Sequence, residues 1–274
     1  MSDVLIGVND LAEAMLGPRP PVVLDVRWQL GSDDGFARYK EGHLPGSVYV
    51  DLNTELAAPP RPEQGRHPLP DIDTLQAAAR RWGIDVGVPV VVYDDAGGTV
   101  AARAWWLLRW AGIAQVQLLD GGLGAWRDAG MRLSAGDAVP RVGNVTLTGG
   151  HLPTADIDEV AGTQALLLDA RAAERYRGEV EPVDPRPGHI PGAVSAPTTE
   201  NLTAAGAFRP ADELRARFTA LGADSRPVVV YCGSGINAAH QIAALEIAGI
   251  DGAALYPGSY SQWSSDPQRR VDTA

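Results

Sequence analysis

The sequence predicts an α/β protein built as two tandem domains, each a parallel sheet flanked by helices and related by internal duplication. Three observations lead there. Short, unbroken apolar runs such as Val90-Val91-Val92-Tyr93 and Val228-Val229-Val230-Tyr231 alternate with helical stretches, as strands buried on both faces do. The motifs of the first half recur in the same order in the second half. A chain of 274 residues also exceeds what a single core usually organises.

Taken in order, Pro21-Val22-Val23-Leu24-Asp25-Val26-Arg27 reads as a buried strand ending in Asp and Arg. Gly42-His43-Leu44-Pro45-Gly46-Ser47-Val48 is a turn into another short strand, and Leu56 to Pro70 reads as an irregular surface loop. Leu75 to Trp82 is expected to be a helix, with Asp73 or Thr74 as its N-cap and Gly83 as its stop. Val88 to Tyr93 is a strand, Asp94 to Gly98 a tight loop, Thr99 to Trp110 a helix and Val116 to Leu119 a strand. Asp120-Gly121-Gly122-Leu123-Gly124-Ala125-Trp126 closes the unit.

The second half answers each piece. Leu166-Leu167-Leu168-Asp169-Ala170-Arg171 repeats the first strand and its Asp-x-Arg ending. Gly188-His189-Ile190-Pro191-Gly192-Ala193-Val194 repeats the Gly-His turn, and Tyr256-Pro257-Gly258-Ser259 with Trp263 repeats the closing element. The domains are expected at 1–130 and 154–274, joined by a linker at 131–153 containing Gly, Ser and Pro.

The formal net charge of −11 argues against nucleic acid or an anionic membrane as partner, since each needs a basic footprint. The single cysteine forms no internal disulfide and no cysteine-rich metal site. No apolar run approaches membrane-spanning length and no signal segment opens the chain, so a cytoplasmic protein without a metal or other cofactor is expected.

That cysteine, Cys232, ends a β-branched run and is followed by Gly233-Ser234-Gly235-Ile236-Asn237 and an alanine-rich helical stretch. Strand, glycine loop and helix make a concave nest of backbone N–H groups, which favours an oxyanion or a thiolate. By the register of the repeat, Asp94 stands where Cys232 stands in the second half, and Thr99 answers Asn237. Thr99 and Asn237 are therefore expected to N-cap their helices at equivalent points. The first domain reads as a scaffold and the second as the seat of chemistry.

The paired Asp-x-Arg and Gly-His-[Leu/Ile]-Pro-Gly motifs, Leu119-Asp120-Gly121-Gly122 and the lone cysteine loop resemble the tandem-domain rhodanese family of sulfurtransferases over nearly the whole chain. Within that family, Cys232-Gly233-Ser234-Gly235 is similar to the loop of the 3-mercaptopyruvate group; the thiosulfate group carries Cys-Arg-Lys-Gly. The loop chemistry agrees. Thiosulfate is a compact dianion that benefits from fixed cations, and this loop has none before His240. A 2-oxo-3-thiol carboxylate needs instead a carboxylate clamp, which arginine supplies through paired N–H donors.

The resemblance implies that Cys232 takes sulfur from 3-mercaptopyruvate as a persulfide and passes it to cyanide, a small thiol or a dithiol protein. It implies Arg175 and Arg186 as the substrate-anchoring arginines, and Gly233, Gly235, Ile236 and Asn237 as the loop around the substrate. Ser234 corresponds to a proton-relay serine whose partners are a histidine and an aspartate of the first domain. His67 matches that histidine, and Asn53 falls at the aspartate position with Asp51 two residues before it. The departures are Ile236-Asn237 for Val-Thr, and Pro257 and Tyr260 for Asp and Trp, the second pair being expected to alter the pocket wall. Thiosulfate is the runner-up donor, and a non-catalytic sulfur carrier the alternative of another class. A cysteine phosphatase is excluded because Cys-x5-Arg would need arginine where Ala238 stands.

Overall fold

The computed structural model describes residues 4–274, which pack as two compact units. One comprises residues 4–57, 70–151 and 203–208, the other 58–69, 152–202 and 209–274.

The first unit runs β1 (Leu5–Ile6), α1 (Val8–Leu16), β2 (Val22–Asp25), α2 (Gly35–Glu41), β3 (Val48–Tyr49), α3 (Leu52–Glu55), α4 (Ile72–Arg81), β4 (Val90–Tyr93), α5 (Ala101–Trp110), β5 (Val116–Leu119) and α6 (Gly122–Asp128). Its strands are parallel in the order β1-β5-β4-β2-β3. The second unit runs α7 (Ile157–Ala161), β6 (Leu166–Asp169), α8 (Ala173–Arg177), β7 (Val194–Ser195), α9 (Ala211–Ala220), β8 (Val228–Tyr231), α10 (Ile236–Ile247), β9 (Ala254–Leu255) and α11 (Ser259–Ser265). Its parallel order is β7-β6-β8-β9.

The duplication holds at the level of single residues. Asp25 lies opposite Tyr93 on β2 and β4, and Asp169 lies opposite Tyr231 on β6 and β8. All four residues of β4 and of β8 are buried, which is why neither run alternates polar with apolar; each buried valine contributes about 1.5–3 kcal/mol. The two repeated motifs are one structure. Arg27 holds Asp25 through Nε and Nη2 and also donates to the Gly42 carbonyl at 2.7 Å. Arg171 does the same with Asp169 and the Gly188 carbonyl, again at 2.7 Å. The histidine that follows each glycine stacks on a tyrosine, His43 on Tyr39 and His189 on Tyr176, with Nδ1 on that tyrosine's own carbonyl. The sequence ties strand to turn through a buried, bidentate ion pair.

Several local expectations are corrected. Helix α4 is capped by Asp71, whose carboxylate accepts from Asp73 N–H at 2.9 Å, not by Asp73 or Thr74. Thr99 and Asn237 are not caps either. Helix α10 begins directly after Gly235, whose φ of 82° only glycine adopts freely, so Asn237 already lies in its first turn. Helix α5 begins later relative to its strand, because the Asp94 carboxylate itself accepts the amides of Ala96, Gly98, Val100 and Ala101 at 2.8–2.9 Å. Thr99 Oγ1 donates to the Ala96 carbonyl instead. Leu56 to Pro70 is not simply a surface loop: Leu56, His67, Pro68 and Pro70 are buried, and 58–69 packs with the second unit. No helix among the described residues is long and apolar enough to cross a membrane.

Candidate active site

Cys232 leaves the carboxyl end of β8 and is 3% exposed. Its Sγ accepts the Gly235 N–H at 3.1 Å, at the point where α10 starts. An anion placed there meets the positive end of a three-turn helix as well as that amide. The loop is held from the far side by the start of α11. Ser259 Oγ accepts the Cys232 N–H at 3.2 Å, Tyr260 N–H donates to the Cys232 carbonyl at 3.0 Å, and Ser261 N–H to the Gly233 carbonyl at 2.9 Å. Ser259 is the one non-glycine with positive φ among the described residues, at 52°. A left-handed conformation costs a β-carbon-bearing residue about 1–2 kcal/mol. Here it aims Oγ at the Cys232 amide while that hydroxyl donates to the Tyr256 carbonyl at 2.9 Å.

Of the residues singled out in the sequence, the structure brings together Cys232, Gly233, Ser234, Gly235, Ile236, Asn237, His67 and Arg175. His67 comes from the 58–69 segment, which belongs to the cysteine's own unit, and its Nδ1 lies 2.8 Å from Ser234 Oγ. Ile236 and Asn237 form the first turn of α10. Arg175, at the end of α8, reaches over the loop: a methyl group at Gly233 would sit 3.5 Å from its Nη1. Nearer still is Arg66, whose Nη2 would be 2.9 Å from that methyl.

Arg186 is placed elsewhere, which corrects the expectation for it. Its Nε and Nη atoms donate to the carbonyls of Ser264, Arg269, Trp263 and Asp266 at 2.6–3.0 Å. A guanidinium committed to four carbonyls ties down the C-terminal segment and has little left for a ligand. Asn53 and Asp51 are also engaged within the first unit. Asn53 Oδ1 accepts from the Trp28 indole at 3.1 Å, and Asp51 caps α3 by accepting the Thr54 amide. Tyr260, expected in a pocket wall, is fully buried, with Arg171 stacked 3.8 Å from its ring centre and its hydroxyl on the Arg186 carbonyl.

What the sequence reading missed is an alternating chain of charges: Asp169, Arg171, Glu181, Arg175, Asp184, Arg66. Arg171 and Arg175 share Glu181, the latter at 2.7 Å, while Asp184 takes Arg175 at 2.9 Å through one oxygen and Arg66 through the other. Burial pushes the Glu181 carboxyl up, but bonds from Arg175 and from the Asp184 and Val183 amides outweigh it and hold the group below its ordinary range. Burial wins at Asp184, which is raised despite Arg66, with Glu181 nearby adding to the rise. The only sequence signal was the acidic spacing Glu179-Val180-Glu181-Pro182-Val183-Asp184 after Arg175; nothing in it shows that the segment folds back.

The whole chain is similar to known proteins. The model of the rhodanese-like domain matches residues 8–129 and again 155–266. A Mycobacterium tuberculosis (strain H37Rv) protein provisionally named thiosulfate sulfurtransferase SseB is 48% identical over 274 residues, 98% of this chain and 96% of its own. A Pseudomonas aeruginosa protein provisionally named 3-mercaptopyruvate sulfurtransferase is 46% identical over 282 residues, 98% of each chain. The crystal structure of SseA from Escherichia coli, described among 3-mercaptopyruvate sulfotransferases, superposes with a TM-score of 0.83 at 31% identity, covering 93% of this chain and 98% of that one. With two matched domains and relatives alike from end to end, the chain belongs to the rhodanese family, as a tandem-domain enzyme of the sulfurtransferase type.

Proposed function

We propose that the enzyme moves sulfur from 3-mercaptopyruvate to a thiophilic acceptor through a persulfide on Cys232. The Cys232 thiolate attacks the donor's sulfur; the new S–S bond forms as the C–S bond breaks, and the electron pair left on carbon makes the enolate of pyruvate. Ser234, backed by His67, carries the donor's thiol proton to that carbon, so the half-reaction needs no outside acid. The persulfide anion keeps the Gly235 amide and the helix start as its counter-charge. A second nucleophile (cyanide, a small thiol or a dithiol protein) removes the outer sulfur and regenerates the thiolate.

The observation that carries the donor assignment is the charge balance around the loop. Arg171, Arg175 and Arg66 are each paired with a carboxylate, so the surroundings offer directed N–H donors with no net positive charge. A monoanionic carboxylate suits that environment better than a dianion such as thiosulfate, which gains more from uncompensated cations. The name of the Mycobacterium tuberculosis relative favours thiosulfate as the second reading. Thiocyanate formation from cyanide, measured with each donor for wild type and Cys232→Ser, decides between them. Cysteine-dependent turnover with a large preference for 3-mercaptopyruvate is expected. A preference for thiosulfate overturns the donor assignment, and turnover that survives Cys232→Ser overturns the persulfide.

A further inference from the structure

We infer that Arg66 is a donor-anchoring residue, forming with Arg175 a two-armed clamp over Gly233 for the carboxylate of a 2-oxo acid; the inference rests on 3-mercaptopyruvate being the donor. The two guanidinium groups approach the same point from different chain segments. A methyl group at Gly233, the residue after the nucleophile, would lie 2.9 Å from Arg66 Nη2 and 3.5 Å from Arg175 Nη1. One carboxylate sets their spacing, Asp184 accepting Arg66 Nη1 on Oδ1 and Arg175 Nη2 on Oδ2. The position expected for the second arginine is thus filled from an unexpected segment, since Arg186 is committed to backbone carbonyls.

Arg66 is built into place. Its amide donates to Ser261 Oγ at 3.1 Å, and the Ser261 amide donates to the Gly233 carbonyl at 2.9 Å, so one serine pins the Arg66 segment to the cysteine loop. Gly65 makes this approach possible: a β-carbon there would fall 2.5 Å from the Gly258 carbonyl oxygen and 2.8 Å from Ser261 Oγ. Consecutive residues then serve consecutive positions of the loop, Arg66 at Gly233 and His67 at Ser234. Arg66 Nε is buried and has no hydrogen-bond partner among the described residues. Nη1 is taken by Asp184, so Nη2, the atom of this group nearest Gly233, is the donor turned toward a ligand carboxylate there.

The test compares 3-mercaptopyruvate with its carboxylate-free counterpart, mercaptoacetone, in wild type, Arg66→Ala and Arg66→Lys. In Arg66→Ala, KM for 3-mercaptopyruvate is expected to rise roughly 10- to 100-fold, with kcat and all mercaptoacetone kinetics within about threefold of wild type. The inhibition constant of pyruvate should rise in parallel. Arg66→Lys keeps the charge without the planar fork and should fall between; it also keeps the question answerable if the alanine variant does not fold. Equal losses with the two donors mark a structural role and overturn the inference, as does an unchanged KM for 3-mercaptopyruvate. A wild type that fails to turn over 3-mercaptopyruvate defeats the donor assignment, and this inference with it, before any Arg66 variant is measured.

Discussion

The first-domain counterpart of the cysteine offers a quantitative test of the anion cradle. Asp94 is fully buried, and its two oxygens accept four backbone N–H groups at 2.8–2.9 Å. Burial pushes this carboxyl up from its ordinary value, against the pull of the four amides. Those neighbours are all donors, so a proton on the carboxyl would have to displace one of these N–H bonds, which favours the anion. Asp94→Asn has nearly the same shape but turns one oxygen into an NH2 group. Two amides lose their acceptor at about 1–3 kcal/mol each, and the two retained bonds lose their charge assistance at about 1 kcal/mol each. The relief of burying a neutral group offsets part of this, leaving a loss of about 3–5 kcal/mol. Urea unfolding followed by tryptophan fluorescence reads it directly, because Trp28, Trp82, Trp105, Trp106, Trp110 and Trp126 lie in the first unit and only Trp263 in the second. A change below about 1 kcal/mol in the fluorescence-monitored transition would refute the view that a fixed anion organises this loop.

Three further outcomes are expected. Arg175→Ala should raise KM for 3-mercaptopyruvate roughly 10- to 100-fold, and an unchanged KM removes Arg175 from the clamp. Ser234→Ala and His67→Gln should each lower kcat, by roughly 100-fold for a general acid–base pair, with the double variant no worse than either single one; losses that multiply would show two independent roles. Glu181 is held below its ordinary value of 4.5, so the stability it contributes is fully present above that value and is lost as pH falls through the lower folded one. Glu181→Gln should therefore be less stable than wild type at pH 7, with the gap closing in acid. A gap that stays constant across the acid range contradicts the ion-pair role.

The parts of this protein legible in the sequence are those written locally. Buried parallel strands announce themselves because residues covered on both faces are all apolar, as in Val228 to Tyr231. The duplication was legible because Asp-x-Arg and Gly-His form one buried, hydrogen-bonded unit that stands in both halves. Cys232 stood out because a glycine loop between a strand and a helix favours an anion and a lone cysteine opens this one, and Asp94 supplied its internal control. Capping was less legible. Thr99 and Asn237 have the right chemistry, but the carboxylate of Asp94 and the left-handed turn at Gly235 decide where each helix starts.

What only the tertiary structure decided is which arginines face the loop. A guanidinium at the end of a long side chain can bind a ligand, a carboxylate or a carbonyl, and the sequence records only that it is there. Arg186 went to four carbonyls near the C-terminus, while Arg66, in a stretch that reads as plain surface loop, arrived over Gly233. That outcome depends on contacts between Gly65 and Gly258 and between Arg66 and Ser261, residues far apart in the chain. Local pattern determines strands, turns and the nucleophile; long-range packing determines the charges around it.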